Sequence, residues 1–270
     1  MRIQAWRRYA GLGLALGTLL LLAAGCGKKQ AVEVAPEIAA SDEALYKLGE
    51  QSIKKDEEKG LLYLRQVIDS FPKSFYAQRA KLLIADTYFK RGDEGNMILA
   101  AAEYREFIKS YPYSPSAAYC QFQVAMTFYK KALKPGRDQT KTVQALAEFR
   151  LLLKDYPASE QAKMAQQMIA ECEQRLAEHT FGIGKVYYNE GAFKASTDRL
   201  SEILTTYPNY GRMDQVYFYL GDSYFRWKKY DQAVPYLTKL VSDYAQSPFA
   251  KKAQEKLKEI SRVAPAKGTI

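Results

Sequence analysis

Histidine, tryptophan and cysteine are scarce in this chain: one, two and three residues respectively out of 270. The lone His179 has no second histidine and no spaced cysteines near it, which argues against a metal site. There is no Gly-x-Ser-x-Gly turn, no P-loop and no dinucleotide fingerprint, so the common frames for a nucleophile or a bound nucleotide are missing. A non-enzyme with no metal and no cofactor is therefore expected. The apolar stretch from Ala10 to Leu22 is too short for a comfortable membrane span. Cys120 and Cys172 sit among apolar residues of helical spacing. Two buried thiols are the plainer reading of them, and a disulfide is the alternative in an oxidising compartment.

Proline is sparse as well, yet four of the ten prolines directly follow an aromatic residue. These steps are Phe71-Pro72, Tyr111-Pro112, Tyr156-Pro157 and Tyr207-Pro208, with a fifth, Tyr244-Ala245, in which the proline is replaced. Counting back from the second residue of each step, the twelfth residue is small: Gly60, Ala100, Ala145, Ser196, Ala233. The eighth is bulky (Leu64, Tyr104, Phe149, Leu200, Leu237) and the fifth apolar (Val67, Phe107, Leu152, Ile203, Leu240). A preceding helix in each unit carries its own small residue, Gly49, Ala85, Ala125, Gly184 or Gly221. Small residues let helix axes approach, and proline ends the second helix because the residue before it is pushed out of helical geometry. At Tyr244-Ala245 a less sharp ending is expected, with Pro248 serving a little later. The register predicts an all-α, right-handed superhelical solenoid of five tetratricopeptide-like helical hairpins, and hence a protein that holds other proteins.

The N-terminus carries Arg2, Arg7 and Arg8, then the apolar stretch, then Ala23-Ala24-Gly25 before Cys26. A charged start, a short apolar core and small residues at the cleavage region form an export signal. Leu21-Leu22-Ala23-Ala24-Gly25-Cys26 also resembles a bacterial lipoprotein signal, in which the cysteine is acylated and becomes the mature N-terminus. Gly27 and Lys28 follow it, and the absence of aspartate there resembles lipoproteins sorted to the outer membrane. The formal charge is +10, and removing the three N-terminal arginines leaves about +7, spread along helices. Nucleic-acid binding is one reading of that excess; an acidic partner or membrane headgroups is the preferred one.

The spacing between breaks is 40, 45, 51 and 37 residues. Against the roughly 34-residue tetratricopeptide period, the excess reflects an insertion at Lys134–Thr140 and a proline-free stretch from Ser159 to Tyr188, which predicts one long joining helix. The expected organisation is a signal peptide (1–25), a flexible lipid-anchored tether (26–40), repeats 1–3 (41–157), the joining helix with repeats 4–5 (158–262) and a disordered tail (263–270). The concave face of such a stack is lined by first helices. Side chains four and five after each small residue are expected to face it. They are Ile53 and Lys54, Phe89 and Lys90, Tyr129 and Lys130, Tyr188 and Asn189, Phe225 and Arg226. The same positions also suit packing against the next hairpin and offsetting the helix dipole, and periodicity alone leaves both open.

The stretch Arg137-Asp138-Gln139-Thr140, followed by Ala145 to Phe149, Tyr156-Pro157, Arg175-Leu176-Ala177, Tyr187-Tyr188, Gly191-Ala192 and Arg199, resembles the BamD family. Gly136, Gln139 and His179 depart from its usual pattern, where an acidic residue, a proline and a tyrosine often stand. The resemblance implies a lipoprotein of the outer-membrane β-barrel assembly machinery, tethered through Cys26 on the periplasmic side of the outer membrane. It implies binding to the POTRA domains of a BamA-type barrel, company with other assembly-complex lipoproteins, and receipt of the C-terminal segments of unfolded barrel substrates. On that basis Arg137, Asp138, Arg199 and Arg226 are the expected partner-binding residues. The row Ile53, Lys54, Phe89, Lys90, Tyr129 and Lys130 is the expected substrate groove. Asp138 also suits a helix cap, and Arg199 a pairing with Glu202. A periplasmic scaffold for polysaccharide export or peptidoglycan machinery is the competing reading.

Overall fold

The computed structural model describes residues 35–263. Among them are twelve helices and no strand: α1 (Pro36–Ala39), α2 (Asp42–Ile53), α3 (Glu57–Ser70), α4 (Phe75–Arg91), α5 (Glu94–Ser110), α6 (Ala117–Tyr129), α7 (Thr140–Asp155), α8 (Glu160–Asn189), α9 (Phe193–Thr206), α10 (Met213–Arg226), α11 (Tyr230–Asp243) and α12 (Ala250–Val263). From α2 to α11 they pair as five consecutive hairpins, and α12 packs on α10 and α11 as a single closing helix. The expected tetratricopeptide-like stack with a long joining helix is the observed architecture.

Local chemistry starts the helices. Ser41, Asp56, Ser74, Asp93 and Ser159 each accept a hydrogen bond from a backbone N–H of the first turn, at 2.9–3.2 Å. The aromatic steps end them with one repeated geometry. The N–H groups of Phe71, Tyr111, Tyr156, Tyr207 and Tyr244 donate to the carbonyl four residues back at 2.8–3.0 Å. At each of the five, φ lies between −137° and −129° and ψ between 46° and 60°. Tyr244 has the same cap without its proline, so the looser ending expected there does not occur. The cap is set by the aromatic residue and the turn after it, in which Ser247 N–H donates to the Tyr244 carbonyl at 2.8 Å. Pro235, unremarked in the repeat pattern, lies inside α11 at an exposed position.

The hairpin contacts are those of the register. A Cβ placed on Gly49, Gly184 or Gly221 would stand 2.5–2.8 Å from the Leu64, Leu200 or Leu237 side chain, so alanine at these crossings would require the leucine to move. All fifteen small, bulky and apolar positions of the second helices are buried. Their cores form successive clusters along the stack. α8, 30 residues and about 45 Å long, joins two of them. Cys172 and Leu176 belong to the third-unit core, Ala177 and Phe181 to the fourth. Cys120 and Cys172 are both free and buried. Part of the expected tether, Pro36–Ala39, is helical: proline is preorganised for a first helical position, and Ile38 packs on the first core.

Candidate partner-binding groove

The aromatic residues of the predicted groove are held by cations, but not by the cations beside them in sequence. The Lys130 ammonium stands over the Phe89 ring at 5.0 Å, Arg226 over Tyr188 at 5.2 Å and Lys256 over Phe225 at 4.6 Å. Tyr129 is covered by Arg175 of α8 at 5.2 Å. Each of units two to five thus supplies a ring and the following helix layer supplies its cation, a ladder running across unit boundaries. Tyr129 also donates its hydroxyl to Glu171 and meets Phe149 edge-on at 6.3 Å.

Phe89, Lys90 and Lys130 do share a site. With Gly92, Met97 and Lys131 they line an open cavity of about 460 Å³ between α4, α5 and α6. A second cleft of about 110 Å³ continues past Met97 and Lys131 to Ile98, Phe128, Arg105 and Lys141. Cations of Arg105 and Lys141 each lie 5.6 Å from the Phe128 ring centre. Apolar walls under a rim of ammonium groups suit a ring attached to a carboxylate.

The first-unit pair does not join this groove. Ile53 packs into the first core, and a Cβ on Gly60 would come 2.5 Å from the Ile53 backbone nitrogen. The first hairpin closes so tightly there that Ile53 becomes its seal. Lys54 is the exposed C-cap of α2. In position four of this unit an aliphatic residue replaces the aromatic ring, which is where the ladder stops.

The expected partner-binding residues are distributed rather than gathered. Asp138 accepts from the Thr140 N–H at 3.1 Å and from the Thr140 hydroxyl at 3.0 Å, closing the turn that leads into α7, whose N-cap position is Gln139. Arg137 is exposed on the insertion, whose Pro135 carbonyl lies 2.6 Å from His179 Nδ1 on α8. Gln139 is buried and ties the same loop through its side-chain amide, donating to the carbonyls of Lys134 and Arg137 at 2.8 and 3.1 Å. Gln139 and His179 therefore act together to pin the insertion. Arg199 pairs with Glu202 at 3.4 Å, and Arg226 stacks on Tyr188 and Phe193. His179 and Tyr188 are nine residues apart and lie on opposite faces of α8. The insertion and Arg226 consequently approach α8 from opposite sides and form no single patch.

Two carboxylates were missed, although the register marks them: Asp86 and Asp222 each follow the small first-helix residue. Asp86 accepts the hydroxyls of Tyr104 at 2.6 Å and Tyr119 at 2.8 Å. Burial and this carboxylate push the Tyr104 phenol far up, and burial takes Tyr119 up to about 12. Asp222, 3% exposed, accepts the Tyr188 hydroxyl and is ion-paired with Lys256. Burial, and then the Asp222 carboxylate, take Tyr188 up to about 12. Asp222 floors a cavity of about 530 Å³ walled by Tyr188, Phe218, Tyr219 and Phe249. Among the described residues no group of three His, Cys, Asp or Glu stands together as a metal site requires.

The model of the YfiO family, described as outer membrane lipoprotein, matches residues 38–233, from before the first hairpin into α11. The chain belongs to that family. Two curated relatives are themselves named as assembly factors. A putative outer membrane protein assembly factor BamD of Aquifex aeolicus is 36% identical over 157 residues, 58% of this chain and 49% of the relative. The outer membrane protein assembly factor BamD of Caulobacter vibrioides is 26% identical over 184 residues, 67% of this chain and 59% of the relative. The match thus spans about half the length of these relatives. Among solved structures, that of MamA protein is 14% identical, covers 84% of this chain and 98% of its own, and has a TM-score of 0.32. A similarity that low does not bear on function. Cys26, the residue that the N-terminal signal pattern marks for acylation, lies outside both the matched and the described residues. No helix among the described residues is long and apolar enough to cross a membrane.

Proposed function

We propose that this protein is a non-enzymatic, lipid-anchored scaffold for the assembly and insertion of β-barrel proteins into the outer membrane. Membership of the outer membrane lipoprotein family, with relatives named as assembly factors, is the observation that carries the reading. In this account acylated Cys26 holds the chain at the periplasmic side of the outer membrane. The C-terminal units engage the POTRA region of a BamA-type barrel through Arg199 and Arg226, with Arg137 and Asp138 approaching from the other side of α8. Other lipoproteins of the complex complete the assembly. Substrate tails ending in an aromatic residue enter the Phe89–Lys130 cavity, the ring against Phe89 and Met97 and the carboxylate among Lys90, Lys130 and Lys131. The cavity's size, apolar walls and ammonium rim support that assignment.

Affinity purification from detergent-solubilised envelope tests the core of this reading: a POTRA-bearing barrel should co-elute. Recovery of polysaccharide-export or peptidoglycan machinery in its place would overturn it. Arg199→Glu should weaken POTRA binding about tenfold while the chain stays helical. Lys130→Glu should weaken binding of a peptide with a C-terminal aromatic carboxylate, and an amidated peptide should bind wild type no better than the variant does.

A further inference from the structure

The turn between α10 and α11, Arg226-Trp227-Lys228-Lys229, differs from its counterparts in the repeat. Seven residues after the small first-helix position, the second and fourth units place Gly92 and Gly191, each with φ 77°. At the same position the fifth unit places Lys228, with φ 61°. A residue with a side chain is strained in that left-handed region, whereas glycine is not. Local strain tends to persist where a side chain is needed for something else. The neighbouring side chains indicate what that is. Trp227 is 37% exposed, and its ring stacks on Tyr224 at 6.3 Å and 14°. Tyr224 in turn stacks on Tyr236 at 5.7 Å and 4°, so the indole rests on a rigid aromatic shelf. The Lys229 ammonium stands 5.4 Å from the Trp227 ring centre. Lys228 and Lys229 are exposed, and neither makes an ion pair among the described residues.

We propose that the Trp227-Lys228-Lys229 turn docks on the surface of an anionic phospholipid bilayer. An indole settles at the boundary between headgroups and acyl chains, and adjacent lysines meet lipid phosphates. Arg226 to Lys229 are all exposed, and the three cavities described above are lined by other residues. An exposed indole beside unpaired lysines fits a broad, anionic fluid surface, whereas an extended acidic polypeptide is better held in a groove. The inference rests on the proposed function only in placing the chain at a membrane; docking would add a second contact to the anchor and orient the solenoid.

The chain from residue 27 onward keeps every described helix, lacks any acyl anchor and has Trp227 as its only tryptophan. Vesicles of phosphatidylcholine doped with phosphatidylglycerol should shift its tryptophan emission to the blue. Pure phosphatidylcholine should not, and added salt should reverse the shift. Changing both Lys228 and Lys229 to Gln should cut vesicle affinity about fivefold per lysine. Lys228→Gly should also weaken binding about fivefold, yet raise the thermal midpoint by about 2 to 4 °C. That opposition distinguishes a lysine kept for docking from one kept for the fold. An absent emission shift, or one unaltered in the double variant, overturns the proposal. So does a shift produced by soluble polyglutamate but not by vesicles, which would mark an acidic protein partner. A chain that ignores vesicles while the acylated protein still co-elutes with a barrel overturns the docking alone and leaves the scaffold reading intact.

Discussion

Replacing Gly60 and Gly182 by alanine should move stability in opposite directions. At Gly60 the added Cβ would meet Ile53 Cγ1 and its backbone nitrogen at 2.5 Å and its Cα at 2.8 Å. Ordinary contact distances are about 3.5 to 4.0 Å, so the α2–α3 hairpin must open by about 1 Å. Backbone atoms have no rotamer to escape into, and overpacking of this kind costs about 1 to 3 kcal/mol. The better helix propensity of alanine returns up to about 1 kcal/mol. A net loss of about 1 to 2 kcal/mol is expected. Gly182 is exposed in the middle of α8 with nothing within 4 Å of an added Cβ. Alanine there should stabilise by about 0.5 to 1 kcal/mol. Urea unfolding followed by helical circular dichroism reads both effects. Because each unit contacts only its neighbours, Gly60→Ala should release the first hairpin early rather than shift the whole transition. Wild-type behaviour of Gly60→Ala, or movement of both variants in one direction, would refute the hairpin-closure argument.

Lys256→Met should cost about 3 kcal/mol, because it strands the buried Asp222 carboxylate. Adding Asp222→Asn should recover most of that in thermal unfolding; an unaffected single variant would mean the ion pair contributes nothing. Burial raises the Cys172 thiol from 9.0 to about 11 and the Tyr119, Tyr188 and Tyr210 phenols from 10.0 to about 12. The folded chain holds these protons more tightly than the unfolded chain. Their contribution is complete below about pH 9 and is lost as pH rises through about 11 to 12. A urea midpoint that climbs over this range contradicts the burial. Cys120 and Cys172 should resist alkylation in the folded chain and react in urea; equal labelling in both states would show that the thiols are accessible.

The hairpin stack was legible because its determinants are local. Gly49 and Leu64, Gly184 and Leu200, Gly221 and Leu237 lie within 16 residues of each other, so helix periodicity and one short turn suffice to bring them together. The 30-residue α8 was legible from the absence of proline. The looser fifth break was misread because proline looked like the cause of the cap. The conserved geometry at Tyr244 places the cause in the aromatic residue and its turn. Ile53 was misread for a different reason: how closely α2 and α3 approach depends on Gly60 in the next helix.

By itself the sequence determined the number of hairpins, which residues are small or bulky at their crossings, and where α8 joins the halves. Those properties follow from spacing along one helix and its immediate neighbour. Only the tertiary structure decided which cation covers which ring, since Lys130 reaches Phe89 from the next unit while Lys90 lies beside it in sequence. It also decided that Asp222 is buried against α12, that the insertion leans on His179, and that Arg226 and the insertion meet opposite faces of α8. These contacts join separate layers of the stack. Their geometry depends on how one hairpin is rotated and displaced against the next, which no repeat within a hairpin specifies.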